Sequence, residues 1–304
     1  MKRSSTRIAL PTLILGAALI FPVAAGDFSA KELQLPGKKG ACFTLREPGA
    51  KAGGSVNENM PKVKALDVSW NYSWGTERVD EQPSDIEFIP MIWGGDNEAK
   101  LESRIKKMRS DIRSGKVKKL LGFNEPDGKK QANMTVERAL ELWPLLESAG
   151  LPLASPGAVH ADSEWMLKFM EGVRDKGLRV DYIAVHSYSG TSSAHFKKKL
   201  RRIYELHGNR PLLITEFAVA DWKTGGDISK NRHSPAAVLA FMKEVLPWME
   251  KQDWILGYAW FSFGIDSPHG HSSALFDRQG KLTHLGRYYR SVTPDNPEGD
   301  QTGE

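Results

Sequence analysis

Two glutamates stand out because each closes a short apolar run. Glu125 sits in Gly122-Phe123-Asn124-Glu125-Pro126-Asp127, and Glu216 in Leu213-Ile214-Thr215-Glu216-Phe217-Ala218. A carboxylate at the exit of a buried strand lies where an α/β fold places its chemistry. Two such carboxylates are the minimum equipment for cleaving a glycosidic bond. One protonates the leaving oxygen, and the other attacks the anomeric carbon or activates a water. A spacing of roughly 5–5.5 Å goes with retention and ~6.5–9.5 Å with inversion. Taken singly, each glutamate reads equally well as a turn residue or an ion-pair partner. Their pairing is what points to chemistry.

The elements that must position them can be read from the apolar pattern. Runs at 40–45, 65–70, 87–93, 118–123, 152–155, 182–186, 211–215 and 255–261 are β-prone and nearly continuous in apolar residues. That is the pattern of parallel strands covered on both faces. Helical stripes fall between them. Leu101, Ile105, Met108 and Ile112 recur at spacings of three and four, as do Phe196, Leu200, Ile203 and Tyr204. Thr135, Ser163 and Ser234 are placed to cap further helices, the last followed by Pro235 at the first helical position. Eight strand–helix alternations predict a single (β/α)8 barrel in one α/β domain over residues 26–292. A doubly wound open sheet is the competitor, but the Gly-x-Gly-x-x-Gly turn it usually carries is absent. On the barrel count Glu125 follows the fourth strand and Glu216 the seventh, on opposite sides of the mouth.

At this point the chain resembles the retaining clan A glycoside hydrolases. More closely, the segments around Glu125 and Glu216 resemble glycoside hydrolase family 128, a group of β-1,3-glucanases. So do Asp67-Val68-Ser69-Trp70-Asn71, Pro90-Met91-Ile92-Trp93-Gly94 and Tyr258-Ala259-Trp260-Phe261. The likeness runs from about Gly40 to Tyr289. It implies that Glu125 is the general acid/base and Glu216 the nucleophile. It also implies that Asn124 bonds the sugar 2-hydroxyl, a contact that strengthens as the ring flattens toward an oxocarbenium ion. His186 and Tyr188 follow the sixth strand, where the clan often sets a tyrosine against the nucleophile. The family more usually has an aromatic between those two positions, whereas Ser187 stands there in this chain.

Aromatic side chains supply a second line. Trp70, Trp74, Trp93 and Trp260 lie at or just past expected strand ends. Sugar rings present C–H faces that stack on indole, so a tryptophan-lined cleft suits an oligosaccharide. The expected substrate contacts are Asn124, Trp70, Asn71, Trp93, His186, Tyr188 and Trp260. Trp143, Trp165 and Trp248 fall on helices and read as core.

Other chemistries find little support. The single cysteine, Cys42, permits neither an intrachain disulfide nor a cysteine metal cluster. His269 and His271 share a loop without a third ligand, and Ser155 and Ser187 lack a nucleophile-elbow context. No metal or cofactor is expected. Residues 1–25 carry Lys2, Arg3 and Arg7, then an apolar stretch, then Val23-Ala24-Ala25, the order of a secretory leader. Removing its three basic residues takes the net charge from +5 to +2, so the basic character does not indicate nucleic-acid binding. Residues 293–304 are rich in Pro, Gly and acid and read as a disordered tail. The expectation is an exported monomer that meets β-glucan and, once its leader is cleaved, no membrane. Another clan A glycan specificity (xylan, mannan or mixed-linkage glucan) stays open, as does a non-catalytic glucan-binding role at the cell wall.

Overall fold

The computed structural model describes residues 28–45, 59–95 and 97–301. The leader expected at residues 1–25 lies outside these residues. Six strands form one parallel sheet: β1 (Lys39–Cys42), β2 (Trp70–Tyr72), β3 (Glu87–Phe88), β4 (Ile183–Ser189), β5 (Leu212–Val219) and β6 (Ile255–Phe261). Their order is β3-β2-β1-β6-β5-β4, so β1 is flanked by β2 and β6. The gap between β3 and β4 is bridged by parallel pairs Met91↔Leu121, Leu120↔Leu153 and Ala154↔Tyr182. The fourth and fifth positions of the ring are therefore these two short segments, and the sheet closes into an eight-membered barrel. Prolines explain their brevity. Pro90, Pro152 and Pro156 offer no N–H, so each interrupts a ladder, although Pro90 and Pro152 still accept from Leu121 and Leu120 and pairing resumes past Pro156 at Asn124↔Gly157.

Helix α1 (Ala30–Leu33) precedes β1, and α2 (Asn59–Ala65), α3 (Glu98–Arg113), α4 (Val136–Glu147), α5 (Glu164–Asp175), α6 (Ser193–Leu206), α7 (Pro235–Glu250) and α8 (His284–Ser291) each follow a ring position, except that β2 runs on to β3 with no helix between them. Thr135, Ser163 and Ser234 do cap α4, α5 and α7, each side chain accepting a first-turn N–H. Such a cap contributes about 1 kcal/mol. One apolar cluster fills the space between strands and helices, and a smaller one, including Trp70, Met91, Leu121, Tyr182 and Leu213, fills the barrel interior.

Two local expectations change. The apolar run at 65–70 is not a strand throughout: α2 ends at Ala65, the chain turns at Asp67 (φ +52°), and β2 starts at Trp70. Leu66 and Val68 are buried in the helix–strand layer, so their apolar character reflects packing rather than strand pairing. The tail is also ordered through residue 301. Tyr288 Oη donates to the Glu298 carbonyl at 3.0 Å, Lys251 pairs with Glu298 at 2.7 Å, and Lys243 reaches the Gln301 carbonyl at 3.0 Å. Charged and backbone groups of α7 and α8 hold a segment whose composition alone could not bury enough apolar surface to order itself.

Candidate active site

Side chains alternate along a strand, so a one-residue offset decides whether a group faces the barrel axis or the helices. In β5, Leu213 belongs to the interior cluster while Ile214 and Phe217 belong to the outer one. Strict alternation from Leu213 would turn Thr215 inward and leave Glu216 among the helices. The register instead slips by one residue against both neighbours. Ala184↔Leu213 is followed by His186↔Glu216, and Ile214↔Tyr258 by Phe217↔Trp260. This β-bulge, a device that re-aims side chains beside active sites, brings Glu216 to the axis. Glu216 thus lies inside its strand rather than past its end.

Glu216 is nearly buried and receives three hydrogen bonds. Tyr72 Oη and Trp74 Nε1 donate to Oε1 at 3.0 and 2.8 Å, and Tyr188 Oη donates to Oε2. Phenol and indole donors favour a carboxylate acceptor, because each bond to the charged form is roughly twice as strong as a neutral one. Burial, and after it the Glu216 charge, holds the Tyr72 and Tyr188 hydroxyls well above the ordinary phenol range, so both stay protonated donors. Burial and then Glu216 also push the Cys42 thiol well up, which makes it an inert core group.

Glu125 has a different setting. Its side chain is 14% exposed against 6% for Glu216, and among the described residues its side-chain partner is His186, whose Nδ1 lies 2.9 Å from Oε1. The backbone at Glu125 is left-handed (φ +42°), as it is at Trp74 (φ +53°). Each such strained residue costs about 1–3 kcal/mol and persists only where the surroundings fix it. At Glu125 those surroundings are on hand. Its N–H donates to Gly157 O at 2.7 Å, its carbonyl accepts from Gly128 at 2.9 Å, and Asp127 accepts from the Val159 N–H at 2.8 Å. His186 is fully buried between the two carboxyls, with Nε2 3.6 Å from Glu216 Oε1. Burial pulls its pKa down, but Glu216 and the Glu125 hydrogen bond outweigh that and hold the imidazole above its usual range.

The two carboxyls border a cavity of about 700 Å³ whose apolar walls include Trp74, Trp93, Tyr188, Trp222, Phe261 and Phe263. A continuous ring ladder backs it, with Tyr188 5.4 Å from Phe261 and Trp74 6.0 Å from Phe261. Apolar walls with a few convergent polar groups make a ligand site, and exposed indole faces suit sugar rings. A family model described as glycosyl hydrolase catalytic core matches residues 45–289.

The chain belongs to that family.

Solved structures agree with the family 128 resemblance. An endo-β-1,3-glucanase of glycoside hydrolase family 128, subgroup I, from Amycolatopsis mediterranei, in complex with laminaritriose, is 27% identical. Its TM-score is 0.68, and the alignment covers 84% of this chain and 99% of that one. The subgroup II endo-β-1,3-glucanase from Sorangium cellulosum has 26% identity and a TM-score of 0.64, covering 84% and 98%. A subgroup VII oligosaccharide-binding protein from Trichoderma gamsii, at 18% identity, TM-score 0.63 and coverage of 87% and 96%, shares the fold alone. No curated protein matches the chain in sequence comparison. The protein is a glycoside hydrolase.

Of the substrate contacts expected for this glycosyl hydrolase, Asn124, Trp93 and Tyr188 line the cavity, and His186 sits between the glutamates. Trp70, Asn71 and Trp260 do not; all three are at most 1% exposed. Trp70 points inward but two residues too deep, spending its Nε1 on Lys38 O, and Tyr72 on the same face reaches Glu216 instead. Trp260 has the outward parity of β6, packing on Phe217 and Phe241, and its neighbour Phe261 faces the cleft. Asn71 faces away from the axis and accepts from Gln82 Nε2 at 2.8 Å. The residues missed were Tyr72, Phe261, Phe263 and Trp222, while Trp74 was noted as a strand-end aromatic but not as a donor. Counting by twos from the interior residues would have found Tyr72 and Phe261.

Glu125, His186 and Glu216 each offer a ligand atom within 4.8 Å of the others, close enough to surround one ion. The donor set does not fit a resident metal. A cation on Glu216 would displace buried phenol or indole donors and leave them unpaired, at about 1–3 kcal/mol each. His269 Nδ1 is engaged with Thr224 Oγ1 at 3.0 Å and the Asp221 carbonyl at 3.1 Å.

Proposed function

We propose that this glycosyl hydrolase cleaves β-1,3-glucan with retention, Glu216 acting as nucleophile and Glu125 as acid/base. The observation that carries the assignment is the unequal solvation of two carboxyls whose oxygens approach within 4.8 Å. That approach suits the shorter, retaining spacing, which leaves no room for a water between carboxylate and sugar. Three fixed donors hold the Glu216 oxygens aimed at the axis. Glu125, more open to the cleft and bonded among the described side chains to His186, lies where it can exchange a proton with a leaving oxygen.

In the first step a Glu216 oxygen bonds to the anomeric carbon as the bond to the bridging oxygen breaks, and the Glu125 proton goes to that oxygen. In the second, Glu125 takes a proton from water, the water oxygen bonds to the anomeric carbon, and Glu216 is released. Asn124 Oδ1 is buried without a protein partner, and the Asn124 amide lines the cleft beside Glu125. A sugar hydroxyl at this position would satisfy it, a contact tightest at the flattened transition state. The β-1,3 preference draws on the two endo-β-1,3-glucanases that the chain resembles at 26–27% identity. The leader-like order of residues 1–25 supports export, which would bring the enzyme to its polymer.

The test is to incubate residues 26–304 with laminarin, curdlan, lichenan and xylan, following reducing ends and the anomer of the first product. Release from laminarin with a β-anomeric product is expected, together with loss of about 10⁴-fold or more in Glu216→Gln, the scale seen when a nucleophile is removed. An α-anomeric first product would overturn retention. Saturable glucan binding with no reducing-end release, unchanged in Glu216→Gln, would instead establish a binding protein on the same barrel.

A further inference from the structure

Trp222 is 56% exposed, the most open large aromatic among the described residues. A lone exposed indole is ordinary, but this one is built into place. Its ring tilts onto His269 at 5.2 Å and meets the edge of Tyr188, the Glu216 donor, at 5.7 Å. The preceding residue, Asp221, has a side chain with no exposure at all. It sits on a surface loop rather than in the core, and four N–H groups converge on it. Arg232 Nε and Nη2 donate at 2.7 and 2.8 Å, and the backbone N–H groups of Arg232 and Lys223 donate at 3.1 Å each.

The same residue ties two loops together. The Asp221 N–H donates to His269 O at 2.8 Å, and Asn231 Nδ2 donates to the Pro268 and His269 carbonyls at 3.2 Å. A buried carboxylate that loses a partner is strongly destabilised, so this arrangement fixes the 221–232 loop in one geometry. Arg232 holds the Asp221 carboxyl far below the usual carboxylate range, so the clamp stays closed at any ordinary pH. Trp222 follows the seventh ring position and Trp93 (36% exposed) the third, four places apart around an eight-membered mouth. Both indoles line the cleft that the two glutamates border. Trp93 stands on a ladder-bound segment, and Trp222 owes its position to Asp221.

We propose that Asp221 is a positioning residue that fixes Trp222 as a stacking platform for a sugar unit beyond the reacting one, so that preference for longer oligosaccharides is set by the Asp221–Arg232 clamp. Stacking on a pre-fixed indole costs no ordering on binding, whereas a platform on a loose loop loses that advantage. This rests on the glucan-hydrolase reading, and the experiment separates the two.

Affinities for laminaritriose and laminarihexaose are measured by calorimetry in the Glu216→Gln background, where no cleavage intervenes. Trp222→Ala and Asp221→Asn are then added one at a time. The expected result is that each lowers the hexaose-to-triose affinity ratio about tenfold, one sugar–indole contact. In the active enzyme the same changes should raise KM for hexaose rather than lower kcat. Restoring a neutral hydrogen-bonding pair with Asp221→Asn/Arg232→Gln should recover part of the ratio. Equal weakening of both ligands, or loss of melting temperature with the ratio intact, would show a merely structural clamp and overturn the proposal. If the parent enzyme cleaves no glucan yet the ratio collapses as described, the hydrolase reading falls and the platform stands.

Discussion

A Cβ added at Gly157 would meet His186 Nε2 at 2.8 Å and two more ring atoms at 3.4 Å. Gly157→Ala therefore inserts a methyl group against the imidazole that lies between the two glutamates. Ordinary contact begins near 3.4 Å, so one partner must yield by about 0.6 Å. Gly157 itself is held, its carbonyl accepting from Glu125 N–H at 2.7 Å and its N–H donating to Phe123 O at 2.9 Å. The ring is the part that can move. A shift of that size along the Nδ1–Glu125 contact, now 2.9 Å, takes it to the edge of hydrogen-bonding range. Overpacking costs about 1–3 kcal/mol of stability, and a lost charge-assisted bond about 1.5–3 kcal/mol. If half or more of the latter falls on the transition state, kcat drops roughly 4–160-fold. The assay is steady-state laminarin hydrolysis with thermal melting alongside. Gly264→Ala, at a site with nothing within 4 Å of the added atom, is the control expected to change neither. A Gly157→Ala enzyme with parental kcat would refute the claim that His186 is held in place to orient Glu125.

The remaining predictions concern the groups around this pair. Tyr188→Phe removes one of three donors to Glu216 while keeping the ring that packs on Phe261; kcat should fall about 10–100-fold with melting temperature within a few degrees, and parental turnover would remove the tyrosine from the mechanism. His186 has its folded-state pKa raised, so its charged form stabilises the fold fully below the unfolded value near 6.5, and this contribution is lost as pH rises through the raised value. The melting-temperature gap between parent and His186→Gln should accordingly be widest in mild acid and narrow above neutral pH; a gap that widens with pH would contradict the sign. Lys39 is buried at the foot of the barrel, donating to the carbonyls of Tyr289 and Arg290 at 3.1 and 2.7 Å, and burial lowers its pKa to about 8. Between that value and about 10.5 the unfolded chain binds the extra proton, so stability from this group should rise with pH there. Lys39→Met strands two buried carbonyls and should cost about 1–3 kcal/mol in urea denaturation at pH 7; a neutral outcome would mean that water replaces the amine.

Much of this molecule follows from local pattern. The apolar runs and capping residues marked the eight ring positions and the five helices α3 to α7, because burial on both faces and unpaired helix-end N–H groups leave marks within a few residues. Asn124 and Glu125 stood out for the same reason, at the exit of such a run, whereas Glu216 lies inside its strand. The errors at Trp70 and Trp260 were of one kind. The side-chain period in a strand is two, and a strand end placed by composition is uncertain by one or two residues, enough to exchange an inward aromatic for an outward one.

The chain by itself pointed to a closed α/β barrel and singled out Glu125 and Glu216 as candidate residues. Tertiary structure decided which way they face and how they differ. The bulge that turns Glu216 inward is visible only as a slip against β4 and β6, strands that lie far away in the chain. The donors that separate Glu216 from Glu125 come from β2, β4 and the turn after β2, and the buried histidine between them comes from β4. Hydrogen bonds act over about 3 Å in space regardless of sequence distance, so the different surroundings of the two carboxyls exist only in the folded chain.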